Sequence, residues 1–228
     1  LKQLCSMITP RGHDKTFRGM REFLKRKLSL DFRKQYPLIP QEVVSQVRKA
    51  LSHADILTLD NGIYKLWFSR LYPTYRPNTF LLDNALATMG AGLPSGIMAK
   101  MLNPERNVLA VVGDGGFMMS SHELATALRY NVPLVVLVLN DNAFGFIKWE
   151  QQSKGFQNFA LDYANPDFVK YAESYGAVGM KVKEGDDLSA ILRNAFELRK
   201  TVLIECPVDY SVNFETFSKE LPNIVCEY

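Results

Sequence analysis

Five short apolar runs punctuate the chain: ILTLD (56–60), NVLAVVG (107–113), LVVLVLN (134–140), AVGMKV (177–182) and TVLIECPV (201–208). Most are apolar at successive positions rather than alternate ones, so strands built from them have two faces to bury. Segments of helical spacing separate them. PQEVVSQVRKALSHAD sets Val43, Val44, Val47 and Leu51 at helical intervals, and further helices are expected at 92–102, 121–130, 166–175 and 187–198. Strands of this kind alternating with helices imply an α/β fold, a parallel sheet covered by helices on both faces.

With 228 residues, 47% of them hydrophobic and 22% charged, the chain has material for one large domain, or one domain with an appendage. No window reaches about 18 uncharged apolar residues, so no membrane partner is expected. The opening LKQLCSMITPRGHDK lacks the apolar core and cleavage site of a signal peptide. Three scattered cysteines, Cys5, Cys206 and Cys226, make neither a disulfide framework nor a four-ligand zinc site, and a cytoplasmic setting fits them best. Residues 1–35 carry ten Lys and Arg against three Asp and Glu, about +7, which leaves about −4 for residues 36–228. That basic stretch has no recognisable nucleic-acid-binding motif; it reads as a solvated helix face or an interdomain segment, and no nucleic-acid partner is expected. It ends at QYPLIP, where Pro37 and Pro40 disfavour helix.

The chemistry gathers where two strands end. In an open parallel sheet, ligands bind beyond the carboxyl ends of the strands. Gly113, Asp114, Gly115 and Gly116 stand at one such end, where glycines let backbone N–H groups approach an anion. A helix is expected a few residues later, with Ser120 and Glu123 as its capping box. The next strand ends in Asn140, Asp141 and Asn142. The 27 residues from Asp114 to Asp141 are the length of one strand–helix–strand crossover, which puts the two carboxylates on neighbouring strand ends. Taken singly, GDGG also reads as a turn and Asp-Asn as an Asx-turn. On one sheet edge together they suit a hard cation, with Mg²⁺ holding a diphosphate as the natural occupant. No GxxxxGK[ST] lysine is present, so a P-loop site is disfavoured, and GDGGF does not have the GxGxxG order.

GDG followed by about 26 residues and an Asn/Asp-rich turn resembles the thiamine diphosphate signature of the acetolactate synthase-like decarboxylases and carboligases. LDNGIYKLW (59–67) is similar to that family's D-x-G-x-x-x-x-W segment, TMGAGLPSGIMAK (88–100) to its MGxGLPxAIGA segment, and CPVDYSVN (206–213) to its terminal PVDYS-x-N. The resemblance spans about residues 36–213 and implies the thiamine diphosphate-binding fold. It implies metal ligation by the carboxylates of Asp114 and Asp141 and the backbone carbonyl of Ala143. Gly113, Gly115, Gly116 and the backbone of Phe144, Gly145 and Phe146 would line the diphosphate and thiazolium, and Met89 would prop the cofactor in its bent, reactive form. Tyr64 stands where relatives often have a His that contacts a cofactor phosphate. Phe144, Phe146 and Trp149 would wall the substrate entrance. The Asp-Asn form of the metal turn resembles the catabolic, flavin-independent acetolactate synthases.

The implied activity is decarboxylation of pyruvate or a related 2-oxo acid and ligation of the resulting carbanion to a second carbonyl. Other decarboxylases and aldehyde lyases share this cofactor half, and a non-catalytic diphosphate-binding module is the alternative from another class. The family's activating Glu lies on a pyrimidine-binding domain, usually a partner subunit's, for which this chain has no room. Residues 36–228 are therefore expected to be a C-terminal cofactor-binding domain. Residues 1–35 would be the tail of an upstream middle domain or a linker, the whole enzyme a homodimer or homotetramer, and the chain alone inactive.

Overall fold

The computed structural model describes residues 35–220 and two isolated helical positions, 19 and 22. The expected tail or linker over residues 1–35 therefore falls almost wholly outside the described residues.

The elements are α1 (Pro40–Ala50), β1 (Ile56–Leu59), α2 (Tyr64–Leu71), β2 (Phe80–Leu82), α3 (Gly92–Leu102), β3 (Val108–Gly113), α4 (Asp114–Ser120), α5 (Glu123–Arg129), β4 (Val135–Asn140), α6 (Gly145–Ser153), α7 (Phe168–Tyr175), β5 (Val178–Lys181), α8 (Leu188–Glu197), β6 (Val202–Pro207) and a closing π-helical turn (Phe214–Glu220). The six strands form one sheet in the order β2-β1-β3-β4-β6-β5, every pairing parallel. The five expected strands are all present, within a residue or two of their anticipated ends.

The continuous apolar runs have the cause inferred for them. Successive side chains of a strand point to opposite faces, and each face has its own core. Leu57, Leu59, Leu109, Val111 and Leu137 pack with Val43, Val44 and Val47 of α1, Trp67 and Phe68 of α2, and Leu188 and Leu192 of α8. Ile56, Val108, Ala110, Val112, Val136 and Val138 pack on the other face with Leu93 and Ile97 of α3, Phe117 of α4, Leu124 of α5 and Phe168 of α7. Asp167 and Asp187 cap α7 and α8, each accepting from two backbone N–H groups of the first turn.

One local expectation fails. Ser120 and Glu123 form no capping box: Ser120 ends α4, and its buried hydroxyl has no hydrogen-bond partner. The helical path starts at Asp114, directly off β3, and Ser121 (φ −57, ψ −28) and His122 (φ −61, ψ −20) carry it in helical conformation into α5. A capping box needs an extended N-cap residue, and no residue between α4 and α5 is extended.

The sheet order sets the site. The chain runs outward from β1 to β2 and then returns to the other side of β1 to lay down β3, so helices leave β1 and β3 on opposite sides. The crevice opens at that switch point, beyond the carboxyl ends of β1, β3 and β4.

Candidate functional site

Beyond those strand ends lies a cavity that opens to solvent. All ten residues expected at the site line it: Met89, Gly113, Asp114, Gly115, Gly116, Asp141, Ala143, Phe144, Gly145 and Phe146, together with Asn61, Gly62, Ile63, Tyr64, Leu139, Ile147 and Tyr210. Trp149 is not in the lining. Its ring meets Phe146 edge-on at 5.5 Å and Phe217 at 5.9 Å, and its Nε1 donates to Ser218 Oγ. It supports the wall and does not form it.

Asp114 opens α4 and is buried. Its Oδ1 accepts from the Gly115 N–H at 2.8 Å and the Tyr163 hydroxyl at 3.0 Å; its Oδ2 accepts from the Asn142 N–H at 2.9 Å and Asn165 Nδ2 at 2.7 Å. Burial raises its pKa, and these donors oppose the rise. Asp141, on the adjacent strand end, is pushed up to about 7, first by burial and then by the charge of Asp114. Two carboxylates that repel one another in a partly dry site gain from a cation between them.

The fit to a cation has a second mark. The Tyr163 hydroxyl donates to Asp114 Oδ1 and also reaches the Ala143 carbonyl at 3.2 Å. One shared proton therefore serves two of the three groups expected to hold the metal, so those two oxygens already converge. The glycines fit a cradle. A Cβ on Gly145 would lie 2.6 Å from Asp141 Oδ2, and one on Gly115 would lie 2.8 Å from the Tyr163 hydroxyl, 3.0 Å from Phe144 Cε1 and 3.3 Å from Met89 Cε. The first turn of α6, whose N–H groups have no acceptor within the helix, forms one wall.

Two buried hydroxyls in the lining, Tyr64 and Tyr210, have no hydrogen-bond partner. Burial drives both phenols well above their usual range, so each holds its proton as a donor.

Several contributors escape a reading of the sequence. Asp60, fully buried at the end of β1, accepts from the Asn61 N–H at 2.8 Å, the Gly90 N–H at 2.9 Å and the Ala91 N–H at 3.1 Å, and so staples the loop that carries Met89. It belongs to the quoted D-x-G-x-x-x-x-W segment, whose Trp67 donates to the buried Asn213 of the PVDYS-x-N segment at 2.7 Å. Tyr163 and Asn165 stand in a loop with no periodic pattern; the only local signal there is the Asp167 cap that follows.

Residues 60–206 match the family model described as "Thiamine pyrophosphate enzyme, C-terminal TPP binding domain". The chain belongs to the thiamine pyrophosphate enzyme family. Within it, the chain is 39% identical over 183 residues to an acetolactate synthase of Bacillus subtilis, covering 80% of this chain and 32% of that protein. It is 32% identical over 179 residues to a catabolic acetolactate synthase of Raoultella terrigena, covering 78% and 32%. Among solved structures, the thiamine diphosphate-dependent 4-hydroxybenzoylformate decarboxylase of Rhodococcus jostii RHA1 superposes with a TM-score of 0.72 at 24% identity, over 79% of this chain and 35% of that one, which establishes a shared fold. The chain spans about a third of the length of these relatives. It is an acetolactate synthase-like, thiamine pyrophosphate-binding C-terminal domain. Among the described residues no helix is long and apolar enough to cross a membrane.

Proposed function

We propose that the cavity holds thiamine diphosphate through Mg²⁺, and that the chain serves an acetolactate synthase-like enzyme. That enzyme would decarboxylate pyruvate or a related 2-oxo acid and ligate the product to a second carbonyl compound. The observation that carries this reading is the convergence of the Asp114 carboxylate and the Ala143 carbonyl on one hydroxyl, with the Asp141 carboxylate beside them.

When bound, the cofactor supplies the electron sink for cleaving the bond between carboxylate and carbonyl. The chain's own residues position it and keep water away. Asp114, Asp141 and the Ala143 carbonyl would hold the cation, whose charge would offset that of the diphosphate. Gly113, Gly115, Gly116 and the backbone of residues 144–146 line the space the diphosphate and thiazolium would occupy. Met89, fixed through the Asp60 staple on Gly90 and Ala91, supports the cofactor's shape. Phe144 and Phe146 give the entrance apolar walls, which a carboligase needs so that a second carbonyl arrives before a proton does.

The rest of the enzyme follows from the family resemblance. Residues 36–228 act as the C-terminal domain, residues 1–35 lead in from a middle domain, and a pyrimidine-binding domain outside this chain completes the site in a homodimer or homotetramer. The test is product analysis with the full-length subunit, pyruvate, thiamine diphosphate and Mg²⁺, without added flavin. Formation of 2-acetolactate and carbon dioxide is expected. Acetaldehyde as the main product would make the enzyme a simple decarboxylase, and untouched pyruvate would remove the acetolactate assignment.

A further inference from the structure

Residues 161–165 cross the strand ends and pair with the 142–144 turn. The Phe144 N–H donates to the Leu161 carbonyl and the Tyr163 N–H to the Asn142 carbonyl, both at 3.0 Å, with Ala143 and Asp162 opposed as an antiparallel bridge. Asn165 lies at the end of this strap. From one nitrogen, Nδ2, it reaches Asp114 Oδ2 at 2.7 Å, Asn140 Oδ1 at 3.0 Å and Asn142 Oδ1 at 3.1 Å. The three acceptors belong to the start of α4, the last residue of β4 and the turn beyond it. No other described side chain ties these three pieces together through one atom.

The direction of this clamp is fixed from behind. Asn140 donates its own Nδ2 to Glu205 Oε1 at 2.9 Å, and that buried carboxylate also takes Lys181 Nζ at 2.8 Å. The amide oxygen of Asn140 is thereby turned towards Asn165. At Asp114, Asn165 and the Asn142 N–H both donate to Oδ2, while Oδ1 accepts the Gly115 N–H and shares the Tyr163 hydroxyl with the Ala143 carbonyl. A neutral amide suits this task. A lysine there would hold the carboxylate as firmly but would neutralise it and compete with a cation, whereas an amide orients the carboxylate and leaves its charge in place.

We propose that Asn165 is a positioning residue for the cation site: it sets the Asp114 carboxylate against the 140–142 turn before the cation arrives. This rests on the reading of Asp114, Asp141 and Ala143 as metal ligands. Loss of a partner that orients a ligand typically costs about 10–100-fold in metal affinity.

The test uses the full-length subunit and follows quenching of tryptophan fluorescence as Mg²⁺ is titrated at saturating thiamine diphosphate, with Mn²⁺ paramagnetic resonance as a direct view of the metal. Asn165→Ala should move the Mg²⁺ midpoint upward about 10–100-fold and change the bound Mn²⁺ spectrum. Asn158→Ala removes an amide that bonds Asp162 on the same strap, away from the strand ends, and should leave both unchanged. If Asn165→Ala does not fold, Asn165→Ser is read in its place; its short hydroxyl cannot span three acceptors, and the same shift is expected. A midpoint within twofold of the parent protein's, or a weakening that no Mg²⁺ concentration overcomes, would overturn the positioning role and leave the ligand assignment standing. If the parent protein takes up no thiamine diphosphate with any divalent cation, the ligand assignment falls and this inference with it.

Discussion

A single methyl group at residue 116 should be costly. A Cβ built on Gly116 lies 2.3 Å from Asp60 Oδ2, where ordinary contact begins near 3.4 Å, so the carboxylate must retreat by about 1 Å. That same oxygen accepts the Gly90 N–H at 2.9 Å, and Oδ1 accepts the Ala91 N–H at 3.1 Å. A retreat of that size breaks the first bond and stretches the second. Hydrogen bonds to a carboxylate contribute about 1.5–3 kcal/mol each, so Gly116→Ala should destabilise by roughly 2–4 kcal/mol. In a chain of this size that is a fall of roughly 5–15 °C in melting temperature, read by circular dichroism. A double-mutant cycle isolates the cause. Asp60→Ala leaves three N–H groups without their acceptor and is itself destabilising, but with the carboxylate gone the added methyl meets the Gly90 nitrogen at 3.7 Å, an ordinary contact. The double variant should therefore be more stable than the sum of the single changes by about 2 kcal/mol or more. Additivity within about 0.5 kcal/mol would refute the steric account.

Asp114→Ala should abolish Mg²⁺-dependent thiamine diphosphate binding in a calorimetric titration; unchanged affinity would show that the ligand is elsewhere. Asp141→Asn should be milder and should flatten a pH dependence. With Asp141 raised from 3.8 to about 7, the fold keeps a proton that the unfolded chain releases, so stability without metal should fall as pH rises between about 4 and 7. Mg²⁺ needs the carboxylate, so its affinity should rise through the same window, and equal slopes in parent and variant would contradict the assignment. Tyr64→Phe removes a hydroxyl proton that has no acceptor, so thermal melts without cofactor should show no loss and up to about 1 kcal/mol of gain. The 228-residue chain by itself, given pyruvate and cofactor, should show no turnover, and steady carbon dioxide release from it would mean that the activating group lies within it.

The sheet was legible because burial on two faces leaves a continuous apolar run, which a sequence shows directly. What escaped has no such run. β2 is three residues long and only partly buried, Phe80 to Leu82, and takes its place from register with Leu57, Thr58 and Leu59. α6 buries no residue fully, so its apolar spacing is faint, and α2 begins without a side-chain cap. The Ser120–Glu123 pattern misled for a related reason: four residues that match a motif carry no record of whether the backbone before them is extended or already helical.

The site divides along the same line. Asp114 and Asp141 could be paired from their spacing, because one crossover between neighbouring parallel strands has a narrow range of lengths. Their supports come from elsewhere in the chain: Asn165 lies 51 residues from Asp114, and Asp60 lies 30 from Gly90. Pairing at that distance follows from the sheet order, which brings the end of β1 beside that of β3 and that of β3 beside that of β4. The groups expected to touch the cofactor were thus readable one strand end at a time. The groups that hold them became readable only once all three strand ends were in place, which is also why a change such as Asn165→Ala should alter the metal site while leaving every element of the fold intact.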